Sequence, residues 1–131
     1  MKLSMHDADL YEYAVLRYVP RVEREEFLNI GLVMMCKRRR WMRARVSVDR
    51  VRLAAMRAPH TSDEIENQSR TFTSLAQGGR DAGFLGDHPV EERFRWLTAV
   101  KSSSLQTSRP HPGLTCDLDA EFERLFSELV L

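Results

Sequence analysis

Hydrophobic and polar positions alternate over the first third of the chain and follow a helical period over much of the rest. Residues 11–19 are rich in Tyr, Val and Leu, which suit a pleated surface. Pro20, with no N–H to give a ladder, ends that run. Residues 21–26 are charged and read as a loop or a short turn of helix. Residues 27–36 are apolar on both faces, the mark of a central strand, and Gly31 within them predicts a bulge or a close backbone approach. Residues 41–48 alternate cleanly. Met42, Ala44, Val46 and Val48 turn toward a core, while Trp41, Arg43, Arg45 and Ser47 turn toward solvent or a partner. The four residues between these strands, Lys37, Arg38, Arg39 and Arg40, make the tip of a β-hairpin.

The helical regime follows. Asp49 is placed to cap a short helix through Val51, Leu53, Ala54 and Ala55 that Pro59 stops. Thr61 and Glu64 have the spacing of a capping box, opening a helix to about Gln77 with Ile65, Phe72, Leu75 and Ala76 inside. Gly78 and Gly79 end it, and residues 80–87 read as a loop. Pro89 sits early in a third helix whose inner stripe is Val90, Phe94 and Leu97. Residues 101–108 predict a short polar edge strand, and residues 109–113, with two prolines, a turn. A last helix over residues 118–131 aligns Leu118, Phe122, Leu125, Phe126 and Leu129. This order predicts one α+β domain: a mostly antiparallel sheet of about four strands, covered on one face by three or four helices. Residues 1–9 read as a flexible N-terminal segment.

With 131 residues the chain suits a single core, and 43% hydrophobic with 30% charged residues is ordinary for a folded globular domain. The net charge of +1 hides segregation. Between Lys37 and Arg57 nine Lys or Arg face the single Asp49, whereas from Asp117 onward five acids face only Arg124. Such a division implies either an anionic partner or internal pairing of the two segments. Cys36 and Cys116 lack the spacing of a disulfide framework or a zinc site. No apolar leader or membrane-length run is present, so the expected compartment is the cytoplasm.

Three groups of residues carry candidate chemistry. Lys37, Arg38, Arg39, Arg40, Trp41, Arg43 and Arg45 form a cationic arm. On a nucleic acid, about six such charges would give a log–log salt slope near −5, with Trp41 available to stack on a base. The bland reading is a solvated turn with Trp41 packed over the sheet edge. Glu26 and Asn29 flank the entry to the central strand, where Arg17 is placed to pair with Glu26; as structure, they cap loose backbone groups. Gln106 and Ser108 share a strand face with His111 at the following turn, but no nucleophile elbow and no orienting acid accompany them. Met34, Met35 and Met42 read as core filler. His6 and His60 read as surface residues, no metal-ligand spacing links His88, His111 and Cys116, and no cofactor signature is present.

Tyr13 to Val19 followed by Glu26-Phe27-Leu28-Asn29-Ile30-Gly31, then Arg93-Phe94-Arg95-Trp96-Leu97, then Ser102-Ser103, Gln106-Thr107-Ser108 and His111-Pro112-Gly113-Leu114-Thr115, resemble the bacterial domain-of-unknown-function family 3037 over nearly the whole chain. Lys101 and Arg109-Pro110 depart from that pattern. The family brings no activity to transfer. Relatives in that family are often encoded near a kinase similar to the HipA toxin, so the resemblance implies at most a protein partner or a regulatory role. The leading expectation is therefore a small non-catalytic interaction module working through the basic hairpin. The alternatives are nucleic-acid binding by the same hairpin, and a hydrolytic or transfer enzyme built on Glu26, Asn29, Gln106, Ser108 and His111.

Overall fold

The computed structural model describes residues 7–99 and 104–131. Residues 1–6 and the stretch 100–103, which hold His6 and the start of the expected edge strand, lie outside the described residues. The N-terminal segment already belongs to the sheet at Asp9, which opens β1 and has a buried side chain.

Five antiparallel strands form the sheet: β1 (Asp9–Tyr18), β2 (Leu28–Cys36), β3 (Trp41–Val46), β4 (Leu105–Thr107) and β5 (His111–Thr115). The order is β3-β2-β1-β4, with β5 pairing the other half of β1, so β4 and β5 share one edge. β5 corrects the turn expected there. Proline and glycine deplete strand interiors, but Pro112 lies on an edge, where a missing N–H breaks no second ladder.

Helices cover both faces of this sheet, not one. α1 (Arg50–Ala55), α2 (Ser62–Gln77) and α3 (Val90–Ala99) pack Leu53, Ile65, Phe72, Val90 and Phe94 against Ala14, Leu16, Tyr18, Ile30 and Val33. α4 (Leu118–Leu129) closes the opposite face with Phe122, Leu125 and Phe126 on Tyr11, Val15, Leu32 and Met34. The apolar run of β2 is the reason, because a strand greasy on both sides must be covered on both. The expected caps form: Asp49 accepts from the Val51 and Arg52 amides, and Thr61 and Glu64 make their capping box. Residues 80–87, expected as a loop, contain 3₁₀ turns over Arg80–Leu85 with a kink at Gly83.

Two glycines are required by geometry. Leu16 pairs with Gly31 but Arg17 with Asn29, leaving Ile30 as an extra residue, which is a β-bulge. A Cβ at Gly31 would stand 3.0 Å from the Arg45 carbonyl oxygen and 3.2 Å from Leu16 Cβ, so the strands close only around glycine. The bulge reverses the alternation of β2. Leu28 and Ile30 before it, and Val33 and Met35 after it, all face α1–α3, while Leu32 and Met34 face α4. Gly78 has φ 77°, and a side chain there would collide with the Arg93 guanidinium. That guanidinium is buried and donates to the carbonyls of Leu75, Ala76 and His88, closing the C-terminal end of α2. A cation at a helix C-terminus also meets the favourable end of the dipole.

Candidate functional site

The hairpin tip is a four-residue turn closed by the Arg40 amide donating to the Lys37 carbonyl at 3.1 Å. Arg40 closes it at φ 51°, a left-handed position where glycine is cheaper by about 1 kcal/mol or more. All four tip residues are exposed.

The arm's seven candidates divide into three sets. Arg43 and Arg45 do lie on the face opposite Met42, Ala44 and Val46, but α4 packs over that face and leaves the two side chains only partly exposed. Arg43 donates to Asp119 at 3.2 Å and to Glu123 at 2.7 Å, and Arg45 grips Glu123 through two bonds of 2.7 and 2.9 Å. Arg43 also stacks on Phe122 at 4.5 Å, and Arg45 on Phe126 at 4.9 Å. These bonds, Arg45's first, hold the Glu123 carboxyl down at about 2. Trp41 packs beside them against the α4 cluster. Arg38 and Arg39 reach the buried carboxylate of Asp9, at 3.7 and 2.9 Å. Lys37 and Arg40 make no ion pair among the described residues.

Lys37 and Arg40 wall two clefts. The first, about 580 Å³, has an apolar floor of Ala8, Leu10 and Leu114 rimmed by Lys37, Arg38 and Arg40. Leu10 and Leu114 are cross-strand partners, 62% and 52% exposed, so the apolar pair stands open beside the cations. The second, about 570 Å³, runs to the start of α3 past Asp87, His88 and Glu91. Sequence reading missed the role of β5 here, since Leu114 lay beyond its expected turn.

The polar candidates separate as well. Arg17, Asn29 and Gln106 are brought into one row, because Arg17 pairs with Asn29 on β2 and with Gln106 on β4. The bulge is what places Asn29 on the α4 face, where its Nδ2 donates to the Leu129 carbonyl at 3.0 Å. Glu26 does not join the row. It bonds Arg24, and Arg17 lies over the Phe27 ring at 4.2 Å instead of pairing with Glu26. The Ser108 hydroxyl serves backbone groups, accepting from the Val15 amide at 2.9 Å and donating to the Arg109 carbonyl. His111 lies opposite Tyr13, ring centroids 5.3 Å apart, about 13 Å along β1 from Arg17. His60 is not a simple surface residue: its Nδ1 meets the buried Tyr18 hydroxyl at 2.8 Å.

Five antiparallel strands between a three-helix layer and a single helix define an α+β protein, in which the Ser108 hydroxyl is taken up by backbone groups. The profile of DUF3037, a family described as a protein of unknown function, matches residues 13–130, and the chain belongs to that family. No curated protein and no solved structure matches it. Among the described residues no helix is long and apolar enough to cross a membrane.

Proposed function

We propose that the protein is a non-catalytic interaction module that seats an acidic, leucine-bearing segment of a protein partner at the tip of its β2–β3 hairpin. One observation carries this reading. Lys37 and Arg40, which make no ion pair among the described residues, stand with Arg38 around an apolar floor left open by Leu10 and Leu114. Fully burying a leucine is worth about 1.5–3 kcal/mol. An exposed ion pair is worth about 1 kcal/mol or less. Affinity therefore comes from the leucines, while the cations select the sign of the partner and speed its arrival. The left-handed Arg40 fits this division, since strain at a turn is retained where its side chain is used. The HipA-like kinase implied by the family resemblance is one partner of the protein class this reading calls for, meeting it in the cytoplasm.

Nucleic-acid binding by the same arm is less well supported. Arg43 and Arg45 already hold Glu123. A duplex engaging only Lys37, Arg38 and Arg40 would give a salt slope near −3.

The test is a titration of the whole chain with a synthetic peptide of alternating Glu and Leu, beside a Glu–Ser peptide and a DNA duplex. The Glu–Leu peptide is expected to bind tightest, and Lys37→Glu with Arg40→Glu to weaken it about tenfold or more. Unchanged binding in that double variant removes the tip from consideration, and binding of duplex alone replaces this reading with the nucleic-acid one.

A further inference from the structure

The junction of α1 and α2 holds a cleft of about 270 Å³, lined by none of the hairpin's residues. Arg50, Arg57, His60 and Ser62 wall it, and Leu53, Ala54 and Ala58 give it an apolar floor. Every wall side chain can donate a hydrogen bond, and among the described residues no carboxylate lines the space. Arg57 is exposed and makes no ion pair among the described residues. Arg50 reaches Asp63 at 3.7 Å, a long pair between two exposed side chains that is easily exchanged for another anion. Arg57 also stands at φ 52°, just past the cap of α1, with its amide donating to the Ala54 carbonyl at 3.2 Å. Helices that end this way favour glycine at that position, so an arginine held there points to use of its side chain. His60, half-buried, is oriented from beneath. The Tyr18 hydroxyl is wholly buried, burial pushes it up and keeps it protonated, and His60 Nδ1 at 2.8 Å is the partner for its proton. With Nδ1 accepting, the neutral imidazole carries its own proton on Nε2, as a donor for something else.

We infer that this cleft binds the phosphoryl group of a phosphate monoester. Two guanidinium forks match pairs of anionic oxygens and bring two positive charges. A monoester near neutral pH carries close to two negative charges on three terminal oxygens, acceptors enough for both forks, the His60 Nε2–H and the Ser62 hydroxyl. A diester or a carboxylate offers one charge and two free oxygens, and leaves donors idle. Ser62 also stands at the start of α2, where the helix dipole is positive. The floor of Leu53, Ala54 and Ala58 suits the short carbon chain that carries the phosphoryl group. This site does not rest on the hairpin reading.

The experiment titrates the whole chain, ¹⁵N-labelled, with glycerol 3-phosphate and, separately, with N-acetyl-O-phosphoserine methylamide, which presents the same group as a protein side chain would. Diethyl phosphate is the diester control. The monoesters are expected to saturate in the millimolar range or below and to shift the Arg57, His60 and Ser62 signals, the tighter of the two naming the source of the group. Diethyl phosphate is expected to bind about tenfold more weakly or worse. Arg57→Gly relieves the left-handed backbone, so it should melt at or above the wild-type temperature while losing about tenfold or more in affinity for both monoesters. A purely structural Arg57 would give the higher melting temperature without the loss. Absence of saturable shifts at these residues, equal binding of monoester and diester, or wild-type affinity in Arg57→Gly overturns the assignment.

Discussion

Tyr11 shows how a single side chain ties β1 to α4. Its ring is buried in the α4 cluster and its hydroxyl donates to Glu121 at 2.6 Å, while Glu121 is held in turn by Arg124. Burial first, then the bond to Glu121, push the Tyr11 hydroxyl up to about 12 from 10.0. The folded state therefore favours the neutral phenol. Its contribution is complete below pH 10 and is lost as pH rises toward 12. Tyr11→Phe is expected to lower stability by about 1.5–3 kcal/mol at neutral pH, the worth of a hydrogen bond to a charged group. It should also flatten the loss above pH 10, and denaturant unfolding at pH 7, 10 and 11 reads both effects. Arg17 and Asn29 make the complementary point. Both were legible in the sequence as polar residues near a strand entry, and Gly31 announced a bulge or a close approach, but which residue is extra, and so which face Asn29 takes, shows only in the strand pairing.

The elements were readable where local chemistry decides and unreadable where tertiary position does. Asp49, the Thr61–Glu64 box and the Phe122–Phe126 stripe announced α1, α2 and α4 because caps and periodicity act within a few residues. β5 was not announced, since His111-Pro112-Gly113 has turn chemistry and only its place at the edge of the sheet makes it a strand. The alternation of β3 put Arg43 and Arg45 on the correct face. That the face is covered depends on a helix 76 to 80 positions further along the chain. The α4–β3 junction carries its own pH signature. With Glu123 held at about 2 rather than 4.5, stabilisation is present above pH 4.5 and is lost as pH falls through 2. Glu123→Gln is expected to reduce stability at pH 7 and to make the decline between pH 4.5 and 2 shallower, as read by thermal unfolding at low salt. Added salt should narrow the difference, because both partners are solvent-exposed.

Over the whole molecule, the near-zero net charge conceals two opposite fields that the fold lays partly on top of each other. α4 neutralises the flank of the basic arm, Asp9 takes up part of the next turn, and the cations at the tip stand over an open pair of leucines. The sequence made both outcomes visible, an external partner and internal pairing, and the structure assigns internal pairing to Arg43 and Arg45. On the proposed function the tip is a surface for binding, while the flank holds β3 to α4. Measuring peptide affinity and melting temperature together on two double variants tests that division most directly. Lys37→Glu with Arg40→Glu should lose the Glu–Leu peptide and keep the wild-type melting temperature, while Arg43→Gln with Arg45→Gln should melt earlier and keep the peptide. Affinity lost through the flank, with the tip variant binding as wild type does, would contradict it.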